Sequence, residues 1–133
     1  MPQIYVTHCS HKKNDQCRIT GESVLPDVLY TARPTQRFMH QCKIRNVHRA
    51  IFSDLYGIWL PHIRHEWYEK DPNSVTSLEF TKLLCDFDEK LSAFSEILFY
   101  YNPGRFHPLY DALLRTSSLT DRVKRITHLR EIA

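Results

Sequence analysis

Glycine is scarce in this chain, at three of 133 residues. None falls in the polar run after the first apolar segment, which excludes a Walker-type phosphate loop there. Long apolar runs are lacking too. The longest, Ile97 to Tyr101, is far too short to span a bilayer, so no membrane partner is expected. Met1 to Lys13 has neither a basic leader nor a long apolar core, and no signal peptide is expected there. Paired CxxC and HExxH patterns are missing. His8-x-x-His11 with Cys9 or Cys17, and His62-x-x-His65-Glu66, offer ligand types without that spacing. No metal and no other cofactor is therefore expected. There is no internal repeat and no low-complexity segment.

What is present suits one globular domain over residues 1–133. Hydrophobic residues make up 42%, enough for a packed core and too many for a disordered chain. A chain of this length buries roughly two thirds of its unfolded surface, so no covalent staple is required. The four cysteines, Cys9, Cys17, Cys42 and Cys85, lack a secretory context. They read as free thiols in a cytoplasmic protein. Formal charge is +3, but it is unevenly spread. Residues 1–49 hold eight Lys/Arg and three Asp/Glu, residues 50–104 four and nine, and residues 105–133 six and three. The two basic ends either meet in one positive face or form separate solvated helix faces.

Periodicity supplies the elements. Ile4-Tyr5-Val6-Thr7 reads as a first strand, Val47 to Ser53 as a second and Ser95 to Tyr101 as a third. A helix is expected from Pro34 to about Arg45, with Pro34 at its first position and Phe38 and Cys42 inward. Thr76 and Glu79 form a capping box ahead of Phe80, Leu83, Leu84, Phe87 and Leu91 at helical spacing. Shorter helices are expected over Pro108 to Leu114 and Thr120 to Glu131. The latter rests on Val123, Ile126 and Leu129 at spacing three. Gln16 to Tyr30 reads as a long connection, and Ile58 to Asn73 as an aromatic, His-rich loop. Cys42 and Cys85 fall in helical core patterns. Strands alternating with helices predict an α/β fold, a three-layer domain with a mainly parallel sheet flanked by helices.

In such sheets ligands bind beyond the carboxyl ends of the strands. Three polar clusters fall there. The first, His8-Cys9-Ser10-His11-Lys12-Lys13, sets a thiol among cations, which lower a thiol's pKa and favour the nucleophilic thiolate. It also fits an anion cradle completed by Ser10 and Lys12, or a plain surface turn. The second offers Asp54 as base, ribose ligand or strand-end cap, with Tyr56 and Gly57 after it. The third, Asn102-Pro103-Gly104-Arg105-Phe106-His107, sets Arg105 to meet a phosphate near the next helix. In the aromatic loop, His65, Trp67 and Tyr68 offer stacking surfaces for a base and Glu66 a partner for its edge. The same rings also serve to fold the loop onto the sheet. Cys9, Asp54 and Asn102 are expected to line one concavity, with Lys12 and Glu66 at its rim.

The run Cys9-Ser10-x-Lys12-Lys13 resembles the opening of a family of small domains with a Cys-Ser-x-x-Lys signature. Leu29-Tyr30-Thr31 is similar to its Leu-Tyr-Thr/Ser segment. Ser53-Asp54-Leu55-Tyr56-Gly57 through Pro61 resembles its second strand end. The wider group resembles the YaaA peroxide-stress proteins and the uracil-DNA-glycosylase-like accessory domain of archaeal deazaguanine tRNA-modifying enzymes. Where that family has Pro-Tyr-Asp, this chain has His65-Glu66-Trp67-Tyr68. The resemblance implies a nucleobase or nucleic-acid setting, with Cys9, Ser10 and Lys12 in the pocket.

Together these readings predict an enzyme acting on a nucleotide, a modified nucleobase or a base in DNA or RNA, by glycosidic-bond cleavage or base modification. Cys9, Lys12, Asp54 and Glu66 are its candidate catalytic residues. His8, Ser10, Lys13, Tyr30, Tyr56, His65, Trp67, Tyr68, Asn102 and Arg105 are its candidate binding residues. The alternative is a non-catalytic nucleic-acid-binding or accessory module that uses Arg122, Lys124, Arg125 and Arg130 on the last helix.

Overall fold

A computed structural model describes residues 2–133. Its centre is strand β1 (Gln3–His8), whose residues Ile4 to Thr7 are all buried. A strand buried on both faces needs a partner on each side, and β1 has them. It pairs in parallel with β2 (His48–Ser53) on one side and β4 (Glu96–Tyr100) on the other. Strand β3 (Gly57–Trp59) adds antiparallel to β2, and β5 (Val123–Ile126) adds parallel to β4. The sheet order is β3-β2-β1-β4-β5. The fold is α/β with a mainly parallel sheet and helical flanks, as the strand–helix alternation predicts.

The helices are α1 (Asp15–Thr20), α2 (Pro26–Leu29), α3 (Arg33–Arg45), α4 (Ser77–Leu91) and α5 (Pro108–Thr116). Helix α3 is the crossover from β1 to β2, with Phe38, Met39 and Cys42 buried on its inner side. Helix α4 starts at the predicted capping box, in which Thr76 accepts from the Glu79 N–H and Glu79 accepts from the Thr76 N–H. Successive residues of β2 face opposite layers. Phe52 meets Phe87 of α4 and Tyr110 of α5, while Ile51 lies near Met39 of α3. Among the described residues no helix is long and apolar enough to cross a membrane.

Three expectations are corrected. Thr120 to Glu131 is not a helix. It is a 3₁₀ turn (Thr120–Arg122), then β5, then a second 3₁₀ turn (Leu129–Glu131). Val123 and Ile126 do turn inward at spacing three, but the backbone between them completes the ladder of β4, and Ile126 is buried. Two of the supposed phosphate contacts are engaged internally. Arg122 donates to the Ser92 and Phe94 carbonyls, and Arg125 pairs with Asp111. The connection from Gln16 to Tyr30 holds α1 and α2. Asn14 caps the first, and Gly21, at φ 69°, ends it. Cys85 is exposed rather than in the core, whereas Cys42 is buried.

Candidate functional site

Strand β1 leads to β2 on one side, and the later β4 joins on the other. The strand order therefore reverses between β1 and β4, and the carboxyl ends there splay apart into a crevice. A cavity of about 750 Å³ occupies that place. Its walls come from the segment after β1 (His8 to Lys12), the segment after β4 (Tyr101, Asn102, Arg105) and the start of α3 (Ala32 to Thr35, Arg37). Four cations line it, Lys12, Arg33, Arg37 and Arg105, and no Asp or Glu does among the described residues. None of the four pairs with a carboxylate among the described residues. No side chain caps the N-terminus of α3, whose positive dipole end adds to the same field. Tyr100, Tyr101 and Tyr110 supply ring surface.

Cys9 lies on the cavity wall just past β1, tied to β2 by its N–H on the Phe52 carbonyl at 2.8 Å. Its thiol donates to Asp54 Oδ1 at 3.6 Å and sits 3.2 Å from the Tyr110 hydroxyl. Asp54 is 3% exposed and immediately follows β2. The sheet register makes this pair, since His8 stands opposite Phe52 in the β1–β2 ladder. Burial, reinforced by the Asp54 charge, pushes the Cys9 thiol up to about 11. This reverses the expectation of a thiolate favoured by Lys12 and Lys13. Burial also raises the Asp54 carboxyl above its ordinary range, with the Cys9 hydrogen bond pulling the other way. At neutral pH Cys9 is a thiol aimed at a buried carboxyl group.

Behind this pair lies a network of hydroxyls. The Ser53 hydroxyl donates to the Tyr68 oxygen at 3.0 Å and accepts from the Leu55 and Tyr56 N–H groups. Tyr68 in turn bonds Tyr30, hydroxyl to hydroxyl, at 2.5 Å. Tyr30 and Tyr68 are buried, and burial raises the pKa of both. They brace the turn that carries Asp54 and do not line the cavity.

Of the sequence candidates, His8, Cys9, Ser10, Lys12, Asn102 and Arg105 share the cavity. Asp54 reaches it through Cys9, and itself borders a separate cleft of about 350 Å³. Lys13 turns the other way, with its ammonium 4.5 Å from the centre of the Tyr68 ring. The aromatic loop is elsewhere. Tyr56 stacks on His65 at 3.9 Å and donates to the Glu66 carbonyl, and Arg18 covers Trp67. Glu66 is exposed and is not at the cavity rim. Sequence reasoning missed Arg33, Arg37 and Tyr110, and gave His107 only as the end of the third cluster, without a role. The rule that places ligands at a reversal of strand order points to this end of the sheet, where α3 begins beside the cavity after α1 and α2. Among the described residues no group of three or more His, Cys, Asp or Glu side chains is placed to hold a metal ion.

Compared with protein-family models, curated proteins and solved structures, the chain finds no match.

Proposed function

We propose that this chain is an enzyme acting on a nucleotide, or on a base carried by a phosphate-bearing strand. One observation carries the reading: four cations with no carboxylate partner and a set of tyrosine rings line one cavity with Cys9, no Asp or Glu lines it among the described residues, and Asp54 stands behind the thiol. Cations without carboxylates select an anion, and guanidinium groups suit phosphate by shape as well as charge. Tyrosine faces suit a planar base, at about 1–3 kcal/mol per stacked ring. A volume of about 750 Å³ lies within the usual range for a small-molecule site. The resemblance of the Cys9-Ser10-x-Lys12-Lys13 run to nucleobase-associated domains points the same way.

The chemistry proposed is displacement at the carbon that bears the base. Asp54 takes the thiol proton as Cys9 Sγ forms a bond to that carbon. The bond to the base breaks, and the charge leaving with the base is met by Lys12. Water then displaces Cys9 Sγ from that carbon, with one water proton passing to the departed base and the thiol proton returning from Asp54. A raised Asp54 pKa brings it closer to the neutral range in which a general base works best. Four free thiols support a reducing, cytoplasmic setting.

The test is calorimetric binding of nucleoside 5′-monophosphates, nucleosides and free bases, followed by chromatography for released base. Nucleotides are expected to bind more tightly than their nucleosides, and Arg37→Ala to remove most of that difference. Equal affinity for nucleotide and nucleoside, unaffected by Arg37→Ala, overturns the reading. An oligonucleotide that binds without any turnover favours the non-catalytic alternative.

A further inference from the structure

Three histidines line the cavity, and their surroundings separate them. His107 Nδ1 accepts from the Leu109 N–H at 3.0 Å, and its Nε2 is 2.8 Å from Asn73 Oδ1. Both nitrogens are engaged in holding the start of α5. His11 points outward, its side chain 88% exposed, with Glu69 at 3.9 Å. His8 differs from both. Its Nδ1 is 2.9 Å from the Cys9 carbonyl oxygen. A carbonyl only accepts, so Nδ1 carries the proton, and in an uncharged ring the other nitrogen is then an acceptor. No partner meets Nε2 among the described residues.

From this geometry we infer that His8 is the proton acceptor of the cavity, a neutral imidazole protonated on Nδ1 whose Nε2 takes a proton from a bound ligand hydroxyl or water. As a role within the same site it rests on the reading proposed above. The ring is held in place, stacked on Tyr110 at 5.2 Å and tilted against Phe106 at 6.0 Å. Burial lowers the pKa of His8, opposed by the bond to the Cys9 carbonyl. The charged and titratable groups that share the cavity with His8 are Lys12, Arg33, Arg37, Arg105, His11, His107, Cys9, Tyr100, Tyr101 and Tyr110. The cavity is otherwise rich in donors and holds no carboxylate among the described residues. Asp54 stands behind Cys9, which leaves His8 Nε2 as the basic nitrogen facing a ligand. When Nε2 takes a proton, the Nδ1–H bond to the carbonyl becomes charge-assisted and stabilises the imidazolium. Two bases then divide the work: Asp54 receives the thiol proton, and His8 a proton from ligand or water.

Long-range proton–nitrogen correlation spectra of the histidine-labelled full chain test the inference without any ligand. At neutral pH His8 is expected to show a protonated Nδ1 and a bare Nε2, and His107 the opposite pattern. His8→Gln assigns the signals by loss. A His8 protonated on Nε2, or on both nitrogens, overturns the inference. Diethyl pyrocarbonate modifies accessible unprotonated imidazole nitrogens and gives a second readout. Peptide mapping is expected to find His8 modified and His107 resistant, and an unmodified His8 overturns the inference. With any nucleotide the chain turns over, His8→Gln is expected to lower kcat at least tenfold with KM within about threefold; an unchanged kcat overturns it. Failure of the nucleotide reading would show differently, as absent nucleotide binding with the His8 tautomer intact.

Discussion

The Cys9 thiol donates to Asp54 Oδ1 across 3.6 Å, although 45 residues separate the two in sequence. The parallel pairing of β1 and β2 brings these strand ends together. The pair joins a group that reacts as an anion to a group that is an anion at neutral pH. The Asp54 charge resists ionisation of Cys9 and burial adds to that effect, whereas the thiol's hydrogen bond favours the Asp54 carboxylate against the cost of its burial.

The first consequence is low thiol reactivity in the free protein. With its pKa pushed up to about 11, Cys9 holds almost no thiolate at pH 7.5. Timed iodoacetamide labelling followed by mass spectrometry is expected to modify the exposed Cys85 first. Cys9 should lag well behind it, and Cys42, pushed to about 12 by burial, further still. Labelling of Cys9 as fast as Cys85 at pH 7.5 would contradict the buried pair.

Asp54 has a folded-state pKa raised by burial, so its ionised form is the less favourable one in the fold. Stability is then greatest below the unfolded pKa and declines as pH rises through the folded value. Asp54→Asn keeps an acceptor oxygen for the Cys9 thiol and removes the charge. Urea denaturation should show the variant at least as stable as the parent at pH 7.5. The difference should shrink as the pH is lowered toward 4. A variant that loses stability most at pH 7.5 would mean that the charge is compensated in the fold.

Much of this arrangement was legible in the chain, and the residues show why. β1 and β4 announced themselves as short apolar runs, and α4 by its capping box and helical spacing. The carboxyl-end rule puts Cys9, Asp54 and Asn102 on one cavity; Cys9 and Asn102 do line it, while Asp54 stands behind the Cys9 thiol. Other features were hidden, because they depend on partners distant in sequence. Lys12 and Lys13 are the neighbours of Cys9 along the chain, but Asp54 and Tyr110, 45 and 101 residues away, are the ones its sulfur touches. β5 was misread because Val123 and Ile126 suit a helix as well as an edge strand. Only a free edge on β4 decides between them. Tyr68 reads in the sequence as a stacking ring, but it is buried away from the cavity and its hydroxyl accepts from Ser53.

Ser53 is fully buried, and its one hydroxyl serves three partners in the turn that carries Asp54. Ser53→Ala leaves two N–H groups and the Tyr68 oxygen to find other partners. A cost of about 1–3 kcal/mol is expected, read from urea denaturation midpoints. A change within experimental error would mean that water replaces the hydroxyl freely.

Gly57 ends the same turn at φ 74°, and an added Cβ would lie 2.2 Å from Asp86 Oδ2. That carboxylate accepts from the Ile58 N–H and pairs with Lys90, so it cannot retreat without loss. Gly57→Ala should cost about 1–2 kcal/mol for the left-handed backbone alone, plus the displaced contacts. The expected signature is a lower unfolding midpoint with the sheet's circular dichroism intact. An unchanged midpoint would show that the β2–β3 turn relaxes.

The last prediction separates the cavity cations from the C-terminal ones. Lys124 is exposed on β5 and does not line the cavity, whereas Arg37 does and has no carboxylate partner among the described residues. A cation that meets a ligand phosphate contributes a charge-assisted bond of roughly 1.5–3 kcal/mol, or about ten- to a hundredfold in affinity. Arg37→Ala should therefore weaken the tightest-binding nucleoside monophosphate by about that factor, and Lys124→Glu should leave its affinity within about twofold. The same two variants also bear on nucleic-acid strands. If strand phosphates follow the C-terminal segment, Lys124→Glu lowers oligonucleotide affinity and reduces its salt dependence, while Arg37→Ala does neither. If they enter at the cavity, the roles exchange. Calorimetry of both variants with a mononucleotide and a short oligonucleotide, at two salt concentrations, decides which cations the ligand meets.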